Sequence, residues 1–135
     1  MIEIAAIDHI VLRTSKIKAM LDFYCHVLRC TVERETSTET GLIQLRAGSA
    51  LIDLVTVESD LGRMGGGAPT ATENSLDHFC LQLKPISEIE IEKHLSEHGI
   101  DGGSFHDRYG AQGIGKSIYI KDPEGNTVEL RSQIQ

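Results

Sequence analysis

Two short passages of the chain carry the same chemistry. Ile7-Asp8-His9-Ile10-Val11-Leu12 returns about seventy residues later as Leu76-Asp77-His78-Phe79-Cys80-Leu81, the self-similarity of a duplicated unit. Leu51-Ile52-Asp53-Leu54-Val55 and Thr127-Val128-Glu129-Leu130-Arg131 also correspond, each with one carboxylate between two aliphatics. The repeat therefore pairs His9 with His78 and Asp53 with Glu129. Two copies facing each other would bring these four side chains together. Two nitrogens and two oxygens suit one divalent zinc, nickel, cobalt, manganese or iron ion, and are too nitrogen-rich for a calcium cage. On an ion that accepts six donors, the remaining positions stay open for water or substrate oxygens, as a Lewis-acid catalyst requires. Taken singly, each side chain reads as a satisfied polar residue at a strand edge. Their equivalence under the repeat is what points to a site.

Strands must hold these residues. His9, Val11 and Arg13 alternate with Ile10 and Leu12, and His78 and Cys80 alternate with Phe79, Leu81 and Leu83, the period of a half-buried strand. A helix follows each. The first is expected from a cap at Ser15, with Ile17, Leu21, Tyr24 and Leu28 on one stripe. The second opens on Ser87 and Glu90 in capping-box spacing and stops at Gly99. Period two then returns, predicting strands at 31–36, 42–46 and 51–57 and again at 103–107, 117–121 and 126–131. Each half reads β-α-β-β-β. The expected fold is α+β: two βαβββ modules, 4–58 and 76–132, form a curved mixed sheet with helices on its outer face. They are joined by an irregular glycine-rich linker, 59–75, within one domain of 135 residues.

Composition narrows the partners. A formal charge of −7 with no run of Lys and Arg disfavours nucleic acid and anionic membrane. Three Tyr, three Phe and no Trp leave little material for a base-stacking platform. No segment approaches a membrane span or a signal peptide, so a cytoplasmic protein is expected. Cys25, Cys30 and Cys80 are an odd set without a C-x-x-C pair and read as reduced thiols.

The chain resembles the vicinal oxygen chelate superfamily, which includes glyoxalase I, fosfomycin-resistance enzymes, extradiol dioxygenases and metal-free bleomycin-binding proteins. The likeness runs from Ile7-Asp8-His9 through Asp22-Phe23-Tyr24 and Leu76-Asp77-His78 to Asp122-Pro123-Glu124-Gly125-Asn126 and Val128-Glu129-Leu130, with the D-P-E-G-N-x-V-E-L block the most specific. The resemblance implies that His9, His78 and Glu129 match the commonly used metal ligands and that Asp53 occupies the fourth, glyoxalase-type position. It also implies a homodimer and a small-molecule substrate whose vicinal oxygens the metal chelates, stabilising an enediolate or oxyanion. Glu129 is then the first candidate for general base and Asp53 the second. Arg13 matches the arginine that glyoxalase I uses on the glutathione carboxylate. Asp53, however, stands where glyoxalase I has the longer Glu, and Val57 stands where an Asn for glutathione is usual. Without Asp53, the set becomes a His, His, Glu triad like that of the dioxygenases and thiol transferases. The alternative from another class is a metal-free binding or drug-sequestering protein of the bleomycin-resistance type.

Gly110-Ala111-Gln112-Gly113-Ile114-Gly115-Lys116-Ser117 literally fits the phosphate-binding pattern G-x-x-x-x-G-K-[ST]. That function needs a buried strand before the glycines and a helix after the Lys, and the surrounding residues promise neither. The second half is seven residues longer than the first between its His and its acid, and this segment is where they are expected. It reads either as a lid presenting Tyr109 or Lys116 to substrate or as a plain flexible loop. His94 and His98, four apart on the second helix, read as a solvated face, and His26 and His106 as surface residues.

Overall fold

The computed structural model describes residues 1–70 and 75–133. The part of the expected linker at 71–74 lies outside the described residues. The chain divides into two compact units, Met1–Thr70 and Ala71–Gln135.

The first unit runs β1 (His9–Thr14), α1 (Ile17–Leu21), a π-helical continuation Asp22–Val27, β2 (Thr31–Glu35), β3 (Leu42–Ala47), β4 (Ala50–Thr56) and α2 (Asp60–Arg63). Its sheet order is β1-β4-β3-β2, with β1 parallel to β4 and the other pairs antiparallel. The second unit repeats this with β5 (Phe79–Leu83), α3 (Glu88–Glu97), β6 (His106–Gly110), β7 (Gly113–Lys121) and β8 (Thr127–Ser132), in the order β5-β8-β7-β6. The βαβββ expectation holds in each half. The strands form two hydrogen-bonded sheets of four.

One face of each sheet is apolar. Leu12, Leu45, Ile52 and Leu54 are buried in the first unit with Met20, Phe23, Tyr24 and Val27 of the helix. In the second, Ile118, Ile120, Val128 and Leu130 are buried with Ile91 and Leu95 of α3. Strand alternation sends the intervening residues, Asp53 and Glu129 among them, to the opposite face.

Several local expectations are corrected. The first helix is capped by Lys16 rather than Ser15, and the Lys16 backbone N–H is taken up by the Thr14 hydroxyl at 2.8 Å. Its second half widens into π geometry, with the Leu28 N–H donating to the Phe23 carbonyl. The linker opens with a helix, α2, whose first turn is capped by Ser59 accepting from the Gly62 N–H at 3.1 Å. The weak strand placed at 103–107 is β6. The glycine-rich segment is not a loop: β6 and β7 form a hairpin turning at Ala111-Gln112, with Gly110 paired to Gly113. A strand follows Lys116 where a phosphate-binding loop needs a helix, so that motif is fortuitous. The capping box at Ser87 and Glu90 forms, and Gly99 ends α3 at φ 68°.

The D-P-E-G-N block is the turn between β7 and β8. The buried Asp122 carboxylate accepts from the backbone N–H of Glu124 and of Asn126, both at 2.9 Å, and from Asn126 Nδ2 at 2.8 Å. This turn sets the register that places Glu129 opposite Tyr119.

Candidate functional site

In the first unit, β4 lies between β1 and β3, so Asp53 has Val11 on one side and Gln44 on the other. The carboxylate is 3% exposed. Its Oδ2 accepts from Gln44 Nε2 at 3.1 Å and stands 4.0 Å from His9 Nε2, while its Oδ1 has no hydrogen-bond partner among the described residues. Gln44 is oriented in turn by Arg34, whose Nη1 donates to Gln44 Oε1 at 2.9 Å. The other ring nitrogen of His9, Nδ1, lies 2.6 Å from Asp8 Oδ1. That hydrogen bond is the main cause of a raised His9 pKa. Desolvation opposes it and the Asp53 charge reinforces it.

The second unit repeats the arrangement with different side chains. His78 Nε2 lies 3.1 Å from Glu129 Oε1, and His78 Nδ1 lies 2.6 Å from Asp77 Oδ2. Glu129 is 5% exposed. Tyr119, its neighbour on β7, takes the place of Gln44. The Tyr119 ring packs 5.2 Å from the His78 ring and carries the Arg108 guanidinium 4.2 Å above its face. Cys80 neighbours Glu129 across the parallel pairing with β5. Its thiol is pushed up to about 12, first by desolvation and then by the Glu129 charge, so it is no thiolate at neutral pH.

An ionised Asp can only accept, so Nδ1 of each imidazole carries the hydrogen. In a neutral ring the lone pair of Nε2 then faces a buried carboxylate. Two acceptors in this position repel unless a cation, proton or metal, stands between them. A buried carboxylate oxygen without a donor, as at Asp53 Oδ1, is likewise costly until a cation meets it. A carboxylate behind the imidazole is the usual partner of a metal-ligating His. The donor set in each unit, one imidazole and one buried carboxylate, therefore fits a divalent ion. Among the described residues no group of three or more His, Cys, Asp or Glu is gathered closely enough to hold a metal ion.

The other expected site residues are engaged elsewhere. Arg13 donates from Nε and Nη2 to the Gly62 carbonyl at 3.2 and 3.0 Å, and from Nη2 to the Gly66 carbonyl at 2.6 Å. It thus ties α2 and the turn after it back to β1. Lys116 Nζ pairs with Asp107 Oδ1 at 2.9 Å, opposite it in the hairpin, and Tyr109 is largely exposed. Alternation puts Lys116 and Tyr109 on the face of the sheet opposite Glu129. His98 Nδ1 is bonded to the His94 carbonyl at 2.9 Å.

Sequence reasoning missed Asp8, Asp77, Gln44 and Tyr119. The first two had a signal in the repeated Asp-His dipeptide, whereas Gln44 and Tyr119 reach the carboxylates only through strand register.

A family model described as Glyoxalase/Bleomycin resistance protein/Dioxygenase superfamily matches residues 6–130. The virulence protein STM3117 of Salmonella typhimurium is 30% identical over 128 residues, covering 95% of this chain and 84% of that protein. Its crystal structure superposes with a TM-score of 0.72 at 27% identity, over 98% of this chain and 100% of that one. A catechol-2,3-dioxygenase of Bacillus subtilis is 28% identical over 111 residues, 82% of this chain, and the chain spans 35% of that relative's length. A lactoylglutathione lyase from Agrobacterium tumefaciens shares the fold, with a TM-score of 0.68 at 23% identity over 95% of this chain and 93% of that one. No helix among the described residues is long and apolar enough to cross a membrane.

Proposed function

Because the chain belongs to the glyoxalase/bleomycin resistance protein/dioxygenase superfamily, we propose that it is a metal-dependent enzyme acting on a small oxygenated substrate. The residues that would hold a divalent ion are His9, Asp53, His78 and Glu129. The observation that carries this reading is the Nε2 atom of His78 set against the buried Glu129 carboxylate, repeated at His9 and Asp53 with an orphaned Oδ1. When bound, the ion supplies Lewis-acid stabilisation of negative charge developing on adjacent substrate oxygens.

The chain's own groups do the rest. Asp8 and Asp77 fix the imidazole rings and keep Nε2 free for ligation. Glu129 is the proton carrier: its buried carboxylate lies beside Tyr119, and among the described residues no backbone or side-chain amide engages it in the way that Gln44 engages Asp53. Asp53, tied to Gln44, is better suited to holding charge than to moving a proton. The assembly is read as a homodimer, and the three free cysteines fit a reducing, cytoplasmic setting.

Element analysis of protein purified without tag or chelator tests the reading. About one divalent ion per chain is expected, with loss of the ion in His9→Ala and His78→Ala. Protein that holds no ion as purified and takes up none on addition would overturn it. Glu129→Gln with undiminished turnover of an identified substrate would remove Glu129 from the role of base.

A further inference from the structure

A second group of charges lies on the Glu129 face of the second sheet. Arg131 follows Glu129 by two residues on β8 and so shares its face. It is 4% exposed. Its Nη2 donates to the Gly113 carbonyl at 2.9 Å, and its Nη1 is buried without a hydrogen-bond partner among the described residues. Among the described residues no carboxylate lies within ion-pair distance of it.

The hairpin is shaped to receive this guanidinium. A Cβ at Gly110 would sit 2.2 Å from Nη1, and one at Gly115 would sit 2.6 Å from Nη2. The two glycines of the fortuitous phosphate-loop pattern thus form a cradle for a cation.

Arg108 lies next to it. It stands opposite Gly115 on β7, while Arg131 stands opposite Ser117, two positions further along the same face. The side chains cross: Arg131 lies over Gly115, and Arg108 Nη1 reaches the carbonyl and hydroxyl of Ser117, both at 3.3 Å. Both side chains thus reach over β7, from β6 and from β8, and among the described residues neither is ion-paired to a carboxylate. Leaving the buried Arg131 charge unpaired is costly, and an anion offering two oxygens relieves it.

We propose that Arg108 and Arg131 form an oxyanion-binding subsite beside His78 and Glu129, and that the substrate is a small acid whose carboxylate or phosphate group docks there. The subsite stands on the two arginines alone, whereas the substrate class rests on the function proposed above.

Calorimetric titration of inorganic phosphate, and separately of acetate, into chelator-treated protein tests the subsite. Saturable binding is expected, weakened about tenfold or more in Arg131→Met and less in Arg108→Met, whose half-exposed site tolerates the change. Without anion, Arg131→Met should melt at or above the wild-type temperature, and phosphate should raise the melting point of wild type but not that of Arg131→Met. No binding by wild type, or equal binding by wild type and both variants, would overturn the subsite. So would an Arg131→Met protein that melts lower while phosphate leaves wild type unchanged, since the guanidinium would then be a tie for the hairpin. Metal content separates the two ideas. Phosphate binding without metal uptake would remove the metal-dependent reading and keep the subsite, and metal uptake without phosphate binding would do the reverse. Preference for phosphate or acetate identifies the group.

Discussion

Cys80 lies beside Glu129 across the parallel pairing of β5 with β8, and the carboxylate helps to keep its thiol protonated. Thiol reactivity therefore reports on the site. Alkylation of Cys80 by iodoacetamide should be slow at pH 8 and rise only as the pH nears about 12. Glu129→Gln removes the negative charge and shifts the rise to lower pH. Mass-spectrometric rates for this cysteine across pH, in both proteins, check it.

Asp77 is almost fully exposed and contributes little to packing, yet it holds Nδ1 of His78. Asp77→Asn should leave the melting temperature unchanged while weakening divalent-ion affinity by about tenfold. Asp8→Asn should act in the same way through His9. Competition against a chelating dye measures both.

Asp122 accepts three hydrogen bonds from inside its own turn. Asp122→Ala strands those donors and should cost about 3 kcal/mol in urea unfolding. Asp122→Asn should cost less. Because the turn sets the register of β8, metal retention should fall with stability in the alanine variant.

Arg29 ends the π-helical segment with φ at 65°, a backbone conformation that a side chain disfavours. Arg29→Gly should raise stability by up to about 1 kcal/mol without affecting the site, and thermal unfolding would show it.

Local patterns made much of this legible. Strand alternation and the Asp-His repeat place His9, Asp53, His78 and Glu129 without any knowledge of three-dimensional neighbours, because a period of two is a property of the chain itself. Contacts that join distant positions were not legible. Arg13 binds the Gly62 and Gly66 carbonyls, which lie far along the chain, and nothing near Arg13 announces them. Gly110 and Gly115 read as loop residues because glycine permits any turn, whereas here its missing side chain makes room for Arg131. The start of the first helix was misplaced because Thr14 and Ser15 are both competent to cap, and the Thr14 hydroxyl takes the Lys16 N–H.

The edge position of β1 and β5 has a kinetic meaning. In each unit the imidazole strand lies at one edge of the sheet, held by a parallel pairing that must close the longest loop of the unit, with His9 aligned to Leu51 in the first. Antiparallel hairpins such as β3-β4 and β6-β7 need only a tight turn and can form early, whereas long-range parallel pairing pays loop entropy before any reward. The pairing that brings His to its acid is thus the one with the greatest loop-closure cost in each unit.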